Sequence, residues 1–430
     1  MMKRKIIWGA LALLLTIIAS TLIWLVLANR NPDHKQPSVP PKNPVKQIKQ
    51  GEYLARVGNC MSCHTARGGE QYAGGRAVPT PFGNIYTSNL TPDAETGIGK
   101  WTNSDFWQAM HNGKSKDGSL LYPAFPYTNY TKVTRADSDA VFAYLHTLPA
   151  VSKKNIAPEL RFPYDNRALL YVWRALYFRP GQYTNDDKQS VEWNRGAYLA
   201  QGLGHCSACH SPRDSFGGTN LKAELGGGMI PVLNWYAPPL NGDKKNGLGN
   251  WEAAHLAAFL KTGVAPSRSV SGPMAEVVAG SLQHMSDADI NALSGYLKSL
   301  PQQIAVQTAA AENIRPEDKK AMISAGAKLY ENQCATCHQA SGRGVPSIYP
   351  ALAGSSAINT PIATNAIRMV LHGGYAPSTV GNPRPYGMPP FGQAMSDEEV
   401  AAVLTYVRNS WGNQGNAVSS NQVNQYRSRH

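Results

Sequence analysis

One five-residue pattern occurs three times in this chain of 430 residues and uses all six of its cysteines. The pattern is Cys-x-x-Cys-His, at Cys60–His64, Cys206–His210 and Cys334–His338. On a helical turn, two thiols three positions apart project from one face and can add to the two vinyl groups of a haem, and the next histidine meets the iron. The sequence therefore predicts three covalently bound haems.

The predicted site residues follow from this pattern. The attachment residues are Cys60, Cys63, Cys206, Cys209, Cys334 and Cys337, and the iron ligands on the first side are His64, His210 and His338. No residue is predicted to be catalytic.

Zinc, redox and disulfide sites explain the pattern less well. A zinc ribbon pairs Cys-x-x-Cys units about 15–20 residues apart, whereas far longer stretches separate Cys63 from Cys206 and Cys209 from Cys334. A thioredoxin-like pair does not need a histidine after its second cysteine. Disulfide frameworks are typical of short secreted chains. These sites remain the weaker alternatives to covalent haem.

The N-terminus predicts a membrane anchor. Lys3, Arg4 and Lys5 precede an uncharged and mostly apolar run from Ile6 to Ala28. As a helix this run is long enough to cross the ~30 Å hydrocarbon core of a bilayer, and it exceeds the apolar region of a cleaved signal peptide, about 7–15 residues. We expect an uncleaved anchor in the cell inner membrane, with removal as the weaker alternative. The basic cluster keeps the N-terminus cytoplasmic, so the haem domains are expected in the periplasm.

The chain is basic, with a formal net charge of +13. A periplasmic location leaves no nucleic acid for this charge to bind. We expect the basic surface to favour anionic membrane lipid or an acidic protein partner.

The length and the three motifs predict a mainly α-helical fold, with three tandem haem domains behind one N-terminal transmembrane helix. The predicted segments are residues 1–30 (cytoplasmic N-terminus and anchor), 31–49 (a linker rich in proline and lysine), 50–150 (first haem domain), 151–191 (a connecting segment with an amphipathic helix), 192–301 (second haem domain), 302–320 (linker), 321–412 (third haem domain) and 413–430 (a polar tail). We expect the tail to be disordered or wrapped on a partner.

The three haem domains are repeats of one another, numbered one to three. They begin with predicted short helices at Gly51, Gly196 and Gly326, and they end with predicted helices near Ser138, Ser286 and Ser396. Repeats one and two also share a Gly-x-Gly-x-Trp segment, at residues 97–101 and 247–251, which repeat three lacks. We therefore expect repeats one and two to be the closer pair.

Between repeats one and two, the sequence predicts an amphipathic helix over residues 167–178. Its apolar stripe consists of Leu169, Val172, Trp173 and Leu176. We expect this stripe to pack against the haem domains of the same chain. An interfacial helix, or a docking face for a partner, is the alternative.

An electron-transfer haem with six ligands needs a second axial ligand, and methionine sulfur raises its potential relative to a second histidine. Met274 in repeat two and Met388 in repeat three each lie beside a proline, between the motif and the last helix. A rigid extended loop of this kind would hold the sulfur in place. Met285 and Met395 are the competing residues, but they abut the last helices and are expected to pack there.

Repeat one breaks this pattern. Its matching position is Phe125, which has no atom that binds iron. Met110 and His111 are the nearby alternatives, but Met110 aligns with packing residues of the other repeats, and His111 aligns with His372 of repeat three. The first haem is therefore expected to be five-coordinate, or to take a ligand that the repeat does not predict.

With these motifs, the chain resembles the three-haem cytochrome c subunit of the membrane-bound alcohol, sugar and aldehyde dehydrogenases of acetic acid bacteria and their relatives. Beyond the haem motifs, the resemblance includes Gly83-Asn84-Ile85-Tyr86, Ser88-Asn89-Leu90-Thr91-Pro92, Trp193-Asn194-Arg195-Gly196 and Gly272-Pro273-Met274-Ala275-Glu276. It runs from about Gly51 to Asn413. It implies three cytochrome c-type domains, and it carries the family's methionine ligands over to Met274 and Met388.

The resemblance also implies a function. In that family a separate catalytic subunit with pyrroloquinoline quinone, flavin or a molybdenum cofactor oxidises the substrate, and the cytochrome subunit passes electrons through its haems to ubiquinone. The expected partners are a periplasmic dehydrogenase catalytic subunit, with or without a small subunit, together with ubiquinone and membrane lipid. Phe125 resembles the variant found with molybdenum-type aldehyde dehydrogenases, which slightly favours aldehyde over alcohol or sugar.

Two other function classes stay open. A first haem with an open coordination position would suit a haem enzyme that turns over peroxide or another small ligand. An anchored multihaem cytochrome could instead feed a terminal oxidase. The identity of the partner subunit and the ligand binding of the first haem would distinguish the three classes.

Overall fold

Three helices recur in every repeat, in the same order. The computed structural model describes residues 40–302 and 314–427, with isolated residues between 8 and 38, and its regular structure is mainly helical. The opening helices, which precede the motifs, are Pro44–Val57, Val191–Gln201 and Pro316–Gln333. The middle helices are Asn103–Asn112, Ala253–Thr262 and Thr364–His372. The closing helices are Arg135–Leu145, Asp287–Ser299 and Asp397–Arg408.

Shorter elements fill the segments between these helices. They include the short helices Cys60–Cys63, Tyr127–Tyr130, Ser207–His210, Pro273–Gly280, Ala335–His338 and Ser356–Asn359, and the 3₁₀ turns Leu221–Ala223 and Leu282–His284. Antiparallel strands pair Ala77–Thr80 with Gly83–Tyr86, Gly83–Tyr86 with Glu159–Leu160, Gly228–Ile230 with Trp235–Ala237, Val264–Ala265 with Arg268–Ser269, and Gly374–Tyr375 with Gly387–Met388. Of the helices within residues 40–302 and 314–427, two lie outside the repeats, at Leu169–Tyr177 and Ser420–Arg427.

A glycine contact holds the opening helix against the closing helix in each repeat. The contacting pairs are Gly51 with Ala140, Gly196 with Ala292 and Gly326 with Ala402. A Cβ atom added at any of these glycines would overlap the alanine carbonyl oxygen, so only glycine lets the two backbones approach this closely. The three repeats therefore pack their first and last helices in the same way.

The closing helix of repeat one does not begin where the sequence predicts. The sequence predicts a start near Ser138, but the helix begins earlier, and the Thr134 side chain accepts a hydrogen bond from the Asp137 N–H. Threonine caps a helix as serine does, so Thr134 takes the place that Ser286 and Ser396 have in the other repeats.

A glycine with a positive φ ends each middle helix. These glycines are Gly113 (φ 58°), Gly263 (φ 81°) and Gly373 (φ 65°). Counting back from them pairs Met110 with Leu260 and Val370, and His111 with Leu371. The sequence alignment, which paired Met110 with Leu371 as well as Leu260, and His111 with His372, is therefore one residue out in repeat three.

The Gly-x-Gly-x-Trp segments of repeats one and two form the same turn. In repeat one, the N–H groups of Gly97 and Gly99 both donate to the Asp93 carbonyl oxygen, at 3.1 Å each. In repeat two, the two glycines of the segment donate in the same way to the Asp243 carbonyl oxygen, again at 3.1 Å. The matched turn supports the expectation that these repeats are the closer pair.

The chain divides into two compact units. The first contains the residues up to Gly51 and residues 73–183, and the second contains residues 52–72 and those from 184 onward. The first motif therefore belongs to the same unit as repeats two and three, although most of repeat one belongs to the first unit.

The connecting helix, Leu169–Tyr177, faces the opposite way from the one expected. Its buried side chains are Leu170, Arg174 and Ala175. The predicted stripe residues Leu169, Val172 and Leu176 are exposed, and Trp173 is half-buried. The expectation that this stripe packs inside the same chain is wrong for its three aliphatic residues, because a buried arginine takes the inward position. It holds for Trp173, whose ring packs edge-on against Tyr127 at 6.3 Å.

The polar tail folds onto repeat three instead of being disordered. Val418 and Val423 are fully buried and join a hydrophobic core that includes Leu371 and Val400. The Arg427 guanidinium donates to the carboxylate at the start of the closing helix at 2.6 Å. Buried apolar side chains and hydrogen bonds together dock this mostly polar segment.

Most of the predicted anchor, Ile6–Ala28, lies outside the described residues, as do residues 303–313 of the second predicted linker. Within the part of the chain that the structure describes, no helix is long and apolar enough to cross a membrane. The opening helices of repeats one and three begin at Pro44 and Pro316, inside the predicted linkers.

Candidate functional site

All three Cys-x-x-Cys-His motifs form the same helical turn. The histidine N–H donates to the carbonyl oxygen of the first cysteine, from His64 to Cys60 at 2.9 Å, from His210 to Cys206 at 3.0 Å and from His338 to Cys334 at 3.0 Å. Side chains at positions i, i+3 and i+4 of such a turn lie on one face. Each motif therefore presents two thiols and an imidazole to the same side.

The first thiol of each motif is neutral at neutral pH. Burial raises the pKa of Cys60 and of Cys206 to about 12 and that of Cys334 to about 11, and the second thiol of each motif adds to the rise. None of the six cysteines, all of which the structure describes, forms a disulfide. Among the described residues no group of three or more His, Cys, Asp or Glu side chains could hold a metal ion together, which disfavours the zinc alternative. Two neighbouring neutral thiols fit addition across the vinyl groups of a haem.

Backbone carbonyl groups orient two of the motif histidines. Nδ1–H of His210 donates to the Pro238 carbonyl at 2.6 Å, and Nδ1–H of His338 donates to the Pro350 carbonyl at 3.0 Å. A carbonyl can only accept, which assigns the proton to Nδ1 and leaves the Nε2 lone pair for a metal. Burial lowers the pKa of both imidazoles, although the carbonyl bonds oppose this shift. The neutral ring is the form that binds iron.

These carbonyl acceptors could not be found from the sequence. They lie 28 and 12 residues after their histidines, so no fixed spacing marks them. In repeats two and three, the thiols, the imidazole and its acceptor together fit a covalently bound haem, in which the cysteines would hold the porphyrin and the histidine would hold the iron.

Met274 does not lie on the extended loop expected for it. It lies in the first turn of the short helix Pro273–Gly280. Proline is favoured at the first position of a helix, and Gly272 (φ 58°) forms the turn before it, against the Trp235 ring. A Cβ at Gly272 would approach that ring to 2.8 Å. The methionine backbone is therefore held rigidly, by a helix start in place of an extended loop.

Met388 does lie on extended backbone. The strand Gly387–Met388 pairs with Gly374–Tyr375. A Cβ added at Gly373 would overlap the Met388 carbonyl oxygen, which shows how closely the strand approaches the end of the middle helix. The Phe391 N–H then donates to the Val370 carbonyl at 2.8 Å and fixes the segment that follows.

The competing methionines are buried at the starts of the closing helices. Met285 is 2% exposed, and Met395 belongs to the core of repeat three with Leu371 and Val400. Both come directly before the capping serines Ser286 and Ser396. Their positions support the expected packing role.

Phe125 takes the backbone position in repeat one that Met274 takes in repeat two. In both repeats an N–H donates back to the carbonyl of the glycine that ends the middle helix, from Leu121 at 2.8 Å and from Val270 at 2.9 Å. Phe125 and Met274 each lie four residues after that donor. The ring of Phe125 meets that of Tyr130 edge-on, with centroids 5.2 Å apart.

Met110 and His111, the other candidates in repeat one, are buried in its middle helix. The His111 ring is stacked on the Trp107 ring at 4.3 Å, and its Nδ1 lies 3.5 Å from the Thr131 hydroxyl. His111 takes the position that Leu371 takes in the core of repeat three. These contacts give His111 a packing role.

A charged cluster that the sequence analysis missed joins Asp289, Arg195 and Tyr53 in the second unit. The Arg195 guanidinium donates two hydrogen bonds to the Asp289 carboxylate, at 2.8 and 2.7 Å, and the Tyr53 hydroxyl donates a third at 2.6 Å. Burial opposes ionisation of Asp289, but these donors outweigh it and lower the pKa of the carboxyl. In the sequence, only Arg195 gave a signal for this cluster, because it lies in the segment of residues 193–196 that carries the family resemblance.

Tyr53 belongs to the segment that carries the first motif, and further contacts hold this segment on repeat two. The Ser281 hydroxyl donates to the Val57 carbonyl at 2.8 Å. Gly280 lies so close to the side chains of Asn59 and Ser62 that an added Cβ would overlap their oxygens. Gly280 also ends the short helix that begins beside Met274.

The first and second motifs are neighbours. Burial raises the pKa of the Cys209 thiol, Arg213 opposes this rise, and Cys63 adds to it. A Cβ added at Gly58 would lie 3.3 Å from the Leu203 side chain. Two haem-attachment turns therefore lie side by side in the second unit.

Three stretches of the chain match the cytochrome c family, at residues 48–149, 194–301 and 323–411. Each stretch contains one Cys-x-x-Cys-His motif.

Three relatives are similar over most of their length. An alcohol dehydrogenase (quinone) cytochrome c subunit from Gluconobacter oxydans is 39% identical over 398 residues, which cover 88% of this chain and 82% of that protein. A gluconate 2-dehydrogenase cytochrome c subunit from Pantoea cypripedii is 37% identical, over 85% of this chain and 86% of that protein. A fructose dehydrogenase cytochrome subunit from Gluconobacter japonicus is 36% identical, over 88% of this chain and 82% of that protein.

Proposed function

We propose a specific role for this chain, which belongs to the family of cytochrome c subunits of membrane-bound dehydrogenases. It takes electrons from a periplasmic dehydrogenase subunit, carries them through three covalently bound haems c and delivers them to ubiquinone in the membrane. It has no substrate-oxidising activity of its own. An N-terminal helix anchors it in the inner membrane.

The observation that carries this proposal is the packing of the first motif against repeat two. The Ser281 hydroxyl of repeat two donates to the Val57 carbonyl, and Gly280 lies against the Ser62 side chain inside the first motif. Haem supplies a one-electron carrier when bound. Two attachment turns held side by side by buried contacts favour transfer of an electron from one carrier to the next.

The electron donor is proposed to be an aldehyde dehydrogenase, ahead of alcohol and sugar dehydrogenases. Phe125 supports this choice, because it stands where Met274 stands in repeat two and resembles the variant found with molybdenum-type aldehyde dehydrogenases. The relatives named for alcohol, gluconate and fructose support a dehydrogenase partner in general.

Co-purification tests this role. The full chain is tagged, extracted from the membrane with its haems attached, and the bound subunits are identified by mass spectrometry. We expect a dehydrogenase subunit, three haems per chain, and reduction of a ubiquinone analogue that depends on aldehyde and on that subunit. A terminal oxidase as the bound partner would favour the alternative role.

A second candidate is a haem enzyme that acts at repeat one, which Phe125 favours because it offers no sixth ligand. In that case the isolated chain would turn over peroxide, and added cyanide would change the spectrum of one haem. The relay predicts no turnover by the isolated chain, even if one haem does bind cyanide.

A further inference from the structure

The connecting helix exposes an apolar ridge formed by Leu169, Val172 and Leu176. Val172 is 41% exposed and Leu176 is 51% exposed. The three residues are spaced so that they lie along one side of the helix. Tyr171, on the same helix, is also exposed.

The orientation of the helix is fixed by its buried side. The Arg174 guanidinium donates to the Asn112 carbonyl at 2.5 Å and lies over the Phe178 ring at 4.5 Å. Leu170 and Ala175 are buried on the same side. Turning the apolar ridge inward would expose Leu170 and would remove this cation from its acceptor, so the exposure of the ridge is built into the fold.

The connecting helix also holds the end of the N-terminal apolar run. Asn29, which directly follows Ile6–Ala28, donates from its side-chain amide to the Tyr171 carbonyl at 3.0 Å. Nε–H of Arg174 donates to the Asn29 side-chain oxygen at 3.1 Å. All of these residues belong to the first unit. Where the apolar run ends, the chain is therefore already bound to the helix that carries the apolar ridge.

The charges around the ridge suit anionic lipid. Residues 161–179 contain three exposed arginines and one exposed aspartate, while the fourth arginine, Arg174, is buried. Phe162, in the same segment, is 88% exposed. Basic residues flanking exposed apolar and aromatic side chains are typical of helices that lie in the interface of a membrane.

We propose that the apolar ridge of the connecting helix lies in the surface of the phospholipid bilayer, next to the point where the N-terminal anchor leaves it. The ridge would then hold the first unit on the membrane in one orientation, in addition to the anchor. This inference rests on the proposed function in one respect: the proposed anchor gives the place on the membrane next to which the apolar ridge lies.

Site-specific photo-crosslinking in native membranes tests the proposal. A photoreactive benzoylphenylalanine replaces Val172 or Leu176 in the full chain, and the matched control places it at Phe216, which is exposed in repeat two. We expect phospholipid adducts at positions 172 and 176, several-fold above the level at position 216. Crosslinks to another protein at 172 and 176, or lipid adducts no more frequent than at 216, would overturn the proposal.

A second measurement separates the apolar ridge from the anchor and from the relay. In the Val172→Lys/Leu176→Lys variant, amide exchange of residues 169–177 in membranes should rise several-fold, while the chain stays bound after carbonate washing. An unchanged exchange rate contradicts the role of the ridge. Release of the unsubstituted chain from membranes by carbonate would contradict the proposed anchor. Purification of that chain without a dehydrogenase subunit would contradict the proposed relay. Neither outcome would change the crosslinking result.

Discussion

Repeats one and two share the order of their main helices and a hydrogen bond after the middle helix, and they differ where the second iron ligand is expected. Both end the middle helix with a glycine whose carbonyl accepts an N–H from the following loop, at 2.8 and 2.9 Å. Four residues beyond that donor, repeat two has Met274 and repeat one has Phe125. If Met274 is the iron ligand expected in repeat two, a single side chain removes that ligand in repeat one while the attachment turn is kept.

The two repeats also differ in how their parts are distributed. The attachment turn of repeat two packs within its own repeat, whereas that of repeat one lies in the second unit, against repeat two. The contacts of Ser281 with Val57 and of Asp289 with Tyr53 hold it there. Repeat one, which has Phe125 at the expected ligand position, is therefore also the repeat whose attachment turn packs against a neighbouring repeat.

Exchanging the ligand residue should have the largest effect. In Phe125→Met, a thioether sulfur becomes available to the first haem, so binding of cyanide or carbon monoxide should be lost and the potential of that haem should rise. Redox titration and ligand-binding spectra measure both changes. The control Phe125→Leu removes the ring without adding sulfur and should keep ligand binding. If both variants behave alike, position 125 does not face the iron.

The reverse change applies to repeat two. Met274→Leu should lower the potential of one haem by roughly 0.1 V, a small part of the ~0.8 V range that axial ligands cover. The matched control is Met285→Leu, a swap of similar volume at a buried position that should cost less than about 1.5 kcal/mol of stability and leave the potentials unchanged. A potential shift in Met285→Leu but not in Met274→Leu would show that the ligand assignment is reversed.

The next largest effect is a change in the free energy of unfolding. It is expected at the glycine contact between the opening and closing helices, which repeats one and two share. In Gly196→Ala the new methyl group overlaps the Ala292 carbonyl oxygen, so the free energy of unfolding should fall by about 3 kcal/mol. Gly295 is a helical glycine with no atom within 4 Å of an added Cβ. Gly295→Ala should therefore raise stability by about 0.5–1 kcal/mol. Equal destabilisation in both variants would argue against the close approach of the helices.

The smallest effect concerns the charged cluster that joins the first motif segment to repeat two. Asp289→Asn should lower the free energy of unfolding by about 2 kcal/mol at neutral pH, since Arg195 and Tyr53 lose a charged acceptor. The folded-state pKa of Asp289 is lowered. Its contribution is therefore complete above the unfolded pKa of about 3.9 and is lost as the pH falls through the lower folded value.

Denaturant unfolding of the unsubstituted chain and of Asp289→Asn, at pH values from 7 down to acid conditions, measures the difference between their free energies of unfolding. Asp287→Asn is the control, because the Asp287 side chain is 89% exposed, and it should change stability by less than about 0.5 kcal/mol. A difference for Asp289→Asn that stays constant down to the lowest pH would contradict the assigned role of the carboxylate.

The sequence predicted the local features that depend on spacing. The three attachment turns, the helix order and the register of Phe125 with Met274 all follow from short motifs that recur in the same order in each repeat. Features that depend on tertiary packing were missed. The connecting helix faces the other way because Arg174 finds a buried carbonyl and aromatic rings, which a hydrophobic stripe does not reveal.

The polar tail is a second feature whose tertiary packing the sequence did not predict. Its polar composition predicted disorder, yet Val418 and Val423 fill gaps in the core of repeat three. The histidine acceptors Pro238 and Pro350 also have no common spacing. Such contacts are fixed by the shape of the folded core, so a single sequence without that shape does not identify them.

Rapid mixing tests the central claim most directly. The complex of this chain with its dehydrogenase is mixed with substrate while haem absorbance is followed, and a ubiquinone analogue is then added. The account predicts reduction of all three haems only when the dehydrogenase is bound, followed by reoxidation by the quinone. Substrate-driven haem reduction by the isolated chain, or haems that stay oxidised while the complex reduces the quinone, would contradict it.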